Sequence, residues 1–173
     1  MLLVCGLYRG RLGSVKRGSM ATVLVIVHGL FAVVLLGGIT HQAMSVAWPS
    51  RSKKGVFSSF RAVSGSVYTN ANIVLFVVTA TLGGIIYPFY RISVRSFLEN
   101  ARLYQATGSF ELKEQFVAIG LGMLPLYWLL WRRPLEAGGK LARTAVTLIF
   151  CFIVWYGFLV GHVLNNIRGL FGL

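Results

Sequence analysis

The chain has 173 residues, with 17 Lys and Arg against 4 Asp and Glu, and it is 56% hydrophobic but only 12% charged. A mean hydropathy of +0.73 exceeds what a soluble domain of this length can hide in its core, so lipid must be the solvent for most of the surface. The formal charge of +13 does not indicate nucleic acid, because the bases fall in loops and flanks, where anionic headgroups receive them.

Residues 1–19 form a basic tail carrying Arg9, Arg11, Lys16 and Arg17. Met20 stands at the head of the first apolar run and offers an alternative start, which would leave the tail upstream of the protein. The tail and run are not a cleaved signal, since the run is too long and lacks a clean small-residue cleavage site. A helix needs about 20 mostly apolar residues to cross the hydrocarbon layer. Four stretches meet that need, at about 21–48, 72–90, 112–131 and 144–167. The first two contain no Asp, Glu, Lys or Arg. The apolar part of the third, 116–131, is short and becomes a full span only if the preceding FELKEQ turn continues into it. These runs lack the alternation of a membrane β-barrel. The expectation is a single all-α membrane domain, a four-helix up-down transmembrane bundle with both termini on one side.

The connection 49–69 is rich in Ser, Gly and basic residues and reads as exposed. Residues 91–115 carry Ile92, Val94, Phe97, Leu98, Ala101 and Leu103 at near-helical spacing. That pattern predicts an extension of the second helix, or an interfacial helix, ending in a turn at Gly108. Glu111 and Glu114 then suit the start of the third helix. Pro88 and Pro125 predict kinks. Trp128, Trp131, Arg132 and Arg133 read as an interfacial aromatic belt. The Lys/Arg bias does not assign an orientation: nine bases lie on the side of the termini and eight on the other. A start at Met20 changes this to five against eight, which places the termini outside the cytoplasm. Cys5 and Cys151 show no metal-binding spacing.

Every span carries small residues. Gly157 and Gly161 form a GxxxG face, which predicts close packing against another helix, with contact to a flat cofactor as the other use. Ionisable residues inside spans are costly, so His28, His41 and His162 are the functional pointers. His28 lies near the start of the first span and His162 near the end of the fourth. An antiparallel bundle brings these two to similar depth, an arrangement that suits the axial ligands of one b-type haem. His41 is thirteen residues from His28, about 140° away around the helix, and has no fourth histidine as partner. Lys113 opens the third span on the same side as His28. It either snorkels to the surface or faces inward towards an anionic group such as a haem propionate. No nucleophile, phosphate loop or carboxylate pair stands out.

The pattern resembles the HemJ-type protoporphyrinogen oxidases and CopD-like four-helix membrane proteins. The likeness lies in VHGLFAVVLLGG with His28, in TLGG in the second span, in Lys113 at the start of the third, and in the closing apolar helix. It implies a four-helix bundle, a b-type haem with His28 as ligand, and a functional lysine at Lys113. A leucine stands where that group has tryptophan before the first-span glycine, and His162 lies outside its pattern. Two functions follow as expectations. One is a small membrane redox protein with one haem b, passing electrons to a quinone or a respiratory partner, so that any enzymatic activity would be an oxidoreductase. The other is a cofactor-free accessory or assembly subunit of a larger respiratory complex. The expected location is a bacterial inner membrane, as a homo-oligomer or within a larger complex. A transporter fits less well, because no span holds a carboxylate to carry a coupling ion.

Overall fold

The computed structural model describes residues 2–47, 65–134 and 137–170, with side chains over 20–47, 67–134 and 138–167. Helix α1 spans Leu2–Ala47 and α2 spans Gly65–Phe89. The chain continues from α2 through a π-helical stretch, Tyr90–Arg95, into the short α3, Ser96–Asn100. Helices α4, Tyr104–Arg132, and α5, Ala137–Leu170, complete the fold. Four segments are long and apolar enough to cross a membrane: Met20–Ala47, Val67–Asn100, Tyr104–Arg132 and Gly138–Ile167. A helix satisfies every backbone N–H and C=O internally, which hydrocarbon demands. Accordingly, large apolar side chains such as Ile26, Leu30, Val74, Ile119, Phe152 and Val163 point outward.

Helix α1 packs on α2 and α5, and α4 packs on the same two. Each helix therefore neighbours the next in sequence, and the fourth returns to the first. This is a four-helix up-down bundle.

The helices run further than the apolar runs, because their amphipathic flanks keep contributing apolar side chains to the bundle. The third span begins at Tyr104, and Gly108 lies inside α4 rather than at a turn. The turn is instead at Ala101–Leu103, where Arg102 takes φ 60°. Leu103 N–H donates to the Leu98 carbonyl at 2.8 Å and Arg102 N–H to that of Glu99 at 3.0 Å, which closes α3 in the 6→1 and 5→2 pattern of a helix C-terminus. Glu111 and Glu114 consequently sit beyond the first turn of α4, and their partners are basic side chains rather than helix N–H groups. Pro88 lies one residue before α2 gives way to the π-helical stretch. Proline withholds an N–H from the helical ladder, and a wider turn accommodates the mismatch.

The main core comprises Leu35, Ile39, Phe76, Tyr127, Phe150, Ile153 and Val154. It lies towards the end of the bundle that carries the first-to-second and third-to-fourth connections. Phe150 stands between Phe76, at 4.8 Å, and Tyr127, at 5.0 Å between ring centroids. Beside it, Gln42 Nε2 donates to Thr69 Oγ1 at 2.9 Å and Asn72 Nδ2 to Gln42 Oε1 at 2.7 Å, while the Tyr127 hydroxyl also donates to Gln42 Oε1. All four residues are buried. Trp131, at the end of its span, donates its indole N–H to Thr147 Oγ1 at 3.1 Å and ties α4 to α5. A second cluster at the opposite end joins Leu98, Phe110 and Leu164 with Tyr87, Tyr90 and Val160.

Two predictions follow from this packing. A Cβ on Gly38 would stand 2.4 Å from Asn72 Oδ1, and one on Gly120 would stand 2.6 Å from Phe76 Cζ. Both neighbours are buried and held, so Gly38→Ala and Gly120→Ala should each cost about 1–3 kcal/mol in a detergent unfolding assay. Gly37→Ala, with nothing within 4 Å of its Cβ, should cost nothing. For topology, single cysteines at Arg102 and at Gly138 should react with an impermeant maleimide from opposite faces of a sealed vesicle. Labelling of both from one face would overturn the up-down bundle.

Candidate functional site

Between the two apolar clusters lies a cavity of about 210 Å³ lined by all four spans. His28 of α1, Lys113 of α4 and His162 of α5 all face it. His41 lies at the other end of the bundle, stacked on Tyr68 at 5.1 Å between centroids.

The floor, towards the bilayer centre, is apolar: Leu35, Phe76, Val117, Ile153 and Val154. Its polar groups, His28, Thr79, Lys113, Glu114, His162 and Asn165, gather towards the membrane boundary. The walls are built of small residues, Gly29, Ala32, Ala80, Gly83, Gly157 and Gly161. This corrects the expected packing of the GxxxG face. A Cβ on Gly161 would meet nothing within 4 Å, and one on Gly157 only Lys113 Cγ, at 3.9 Å. The pair borders open space and the stem of one lysine of α4, with no neighbouring backbone within 4 Å.

His28 lies over α2, with Cε1 3.4 Å from where a Gly83 Cβ would stand. Its Nδ1 is buried and has no hydrogen-bond partner, and the same holds for Thr79 Oγ1 on the adjoining wall. Two residues on, Thr81 satisfies its hydroxyl at 2.8 Å on the Val77 carbonyl of its own helix. A buried polar group left unpaired costs about 1–3 kcal/mol, and water is scarce at this depth. Three more buried atoms lack partners, Asn72 Oδ1, Tyr90 OH and Thr107 Oγ1, but none of those residues lines the cavity. His162 is exposed at the cavity rim, its ring parallel to Phe158 within 7°.

Lys113 does not snorkel. Its side chain is only 13% exposed, Nζ lies 3.0 Å from Glu114 Oε1, and the ammonium stands 4.4 Å over the Phe110 ring. Phe110 in turn stacks on Tyr90 at 3.7 Å. Nearby, Arg95 pairs with Glu99 at 2.7 Å and Glu111 at 2.9 Å, fastening the π-helical stretch to α4. The sequence reading missed Thr79 and Asn165. Thr79 has a readable signal, standing one helical turn before Gly83, whereas Asn165 shows none.

The described residues contain no group of three His, Cys, Asp or Glu able to hold a metal ion. The cavity thus offers two imidazoles and the paired charges of Lys113 and Glu114, not a complete protein-ligated metal site. Fold and cavity together define a multi-pass membrane protein, a four-helix bundle with a partly open, polar-rimmed chamber. Comparison with protein-family models, curated proteins and solved structures finds no match.

The glycine assignments carry a test. Gly161→Leu should leave detergent thermal stability unchanged or slightly raised, because the side chain enters open space. A large loss of stability would restore the helix-packing role.

Proposed function

We propose that this chain is a small integral membrane redox protein that holds one b-type haem between His28 and His162 and passes electrons to a quinone or a respiratory partner. The observation that supports it is the convergence of His28, His162 and Lys113, from three different spans, on one cavity. The donor set fits such a group: a porphyrin brings four nitrogens of its own, so two histidines complete the iron where no third protein donor stands. Walls of glycine and alanine suit a flat ring, and Nδ1 of His28, buried beside Thr79, would leave Nε2 as the nitrogen to hold the iron. When bound, the haem would supply one-electron redox chemistry.

The residues divide the remaining work. His28 and His162 would hold the iron from α1 and α5. The Thr79 hydroxyl, on the wall beside His28, is suited to orient the imidazole through its second nitrogen. Lys113, held by Glu114 and the Phe110 face, presents a cation to a carboxylate at the polar end of the chamber. The apolar floor excludes water. The likeness to HemJ-type and CopD-like proteins supports the same pair of functional positions, His28 and Lys113, and with them a bacterial inner membrane.

Absorption spectra of the detergent-purified protein, oxidised and dithionite-reduced, test this directly. The parent should show a Soret band that sharpens with split visible bands on reduction. His28→Ala and His162→Ala should each lose haem or turn high-spin, while His41→Ala should leave the spectrum unchanged. Lys113→Ala should keep haem but lower its midpoint potential, since a nearby cation favours the electron-rich form. No Soret band in protein purified with haem supplied would sink the proposal and favour a cofactor-free accessory subunit.

A further inference from the structure

The polar end of the chamber contains a charge pair of its own. Lys113 and Glu114 are successive residues of α4, whose side chains leave a helix about 100° apart, yet both line the cavity. The lysine stem passes α5 at Gly157, with Cγ 3.9 Å from where a Cβ there would stand, and the ammonium meets Glu114 Oε1 at 3.0 Å. The ammonium also lies 4.4 Å over the Phe110 ring. The two partners differ in exposure: the Lys113 side chain is 13% exposed and that of Glu114 38%. Glu111, one turn earlier, is engaged by Arg95 at 2.9 Å and does not line the cavity.

We infer that Glu114 is a resident counter-ion that a ligand's own carboxylate displaces from Lys113, so that the chamber selects a ring bearing a carboxylate at its boundary edge. This rests on the haem reading, since a haem carries such groups, and it adds the residue that governs their affinity. A cation taken out of water and left unpaired is costly, so Lys113 needs a carboxylate at all times. Glu114 meets that need from within the chain. A ligand carboxylate arriving at the polar end meets one ammonium that already bears one carboxylate, and two carboxylates sharing a site repel each other. One of the three groups must withdraw. Lys113 is confined between Gly157 of α5 and the Phe110 ring, whereas Glu114 is more than a third exposed and regains hydration by turning towards the boundary. Lys113 therefore keeps its place and changes partner. A neutral ring brings nothing to exchange and leaves the pair closed. Glu114 thus acts on the affinity and on the chemical class of the ligand, while His28 and His162 act on the iron.

Haemin and haemin dimethyl ester share the iron and the ring and differ in the carboxylates, so together they isolate this exchange. Each is titrated into the detergent-purified full chain and followed by its Soret band. Glu114→Gln should tighten haemin binding severalfold and leave the ester unchanged, and Glu114→Ala should do the same. Lys113→Gln should weaken haemin binding severalfold without abolishing it, again with the ester unchanged. In a Lys113→Gln background Glu114→Gln should add much less, because no ammonium remains to compete for. Haemin affinity unaltered or lowered in both Glu114 variants, with ester binding intact, would overturn the exchange. Equal tightening in both backgrounds would overturn it too, since that is the signature of plain repulsion between Glu114 and the ligand. A parent chain that binds haemin but is indifferent to Glu114 fails the exchange alone. A parent chain that gives no Soret band with either compound fails the haem reading, and the exchange falls with it.

Discussion

Hydrocarbon offers no hydrogen bonds, and that single constraint sorts the polar side chains of this bundle into two populations. At one end Gln42, Thr69, Asn72 and Tyr127 meet on three spans and use one another as partners. Polar groups paired at that depth resist separation, since pulling the helices apart exposes each member to lipid, even though Asn72 Oδ1 itself accepts no hydrogen bond. At the other end His28 Nδ1 and Thr79 Oγ1 are equally buried and have no partner in the protein. The first population fixes the bundle. The second leaves a chemical demand unmet, and it does so inside a chamber.

Glycine serves both ends in opposite ways. Gly38 and Gly120 admit neighbours so closely that no larger residue fits: the Asn72 amide reaches the α1 backbone, and the Phe76 ring reaches α4. There the small residue brings helices together, as van der Waals packing in lipid requires. Gly29 and Gly161 border empty space, and Gly157 makes room for the Lys113 stem. There the small residue keeps a volume open. A glycine pair spaced for helix packing is therefore ambiguous until its neighbours are known.

That ambiguity explains what the sequence could and could not convey. The four spans and their up-down order were legible, because the length of an apolar run and the absence of charge are one-dimensional properties with a direct physical meaning. The convergence of His28, Lys113 and His162 was legible too, since depth in an antiparallel bundle follows from position along each helix. Local chemistry was harder. The turn at Arg102 was hidden because an arginine holds the left-handed conformation that glycine would advertise, and Gly108, which does advertise it, lies in a helix. The use made of Gly157 and Gly161 depends on what stands opposite them, which the spacing of two glycines does not record.

Charge is concentrated at the chamber end of the bundle. Glu99, Glu111 and Glu114 all stand at the chamber end, and each is paired with a base within 3.0 Å. Arg95 draws the π-helical stretch onto α4, and the Tyr90–Phe110 stack fills the seam beneath it. These contacts bind the second and third spans to each other, and Leu164 and Val160 add the fourth. None of these contacts involves a described α1 side chain. The first helix is anchored instead by the polar network and the core at the far end, through Leu35, Ile39 and Gln42. The chamber, with His28 on α1 and His162 on α5, thus lies between two differently built ends, one joined by charge pairs and stacked rings and the other by the buried polar network and the core.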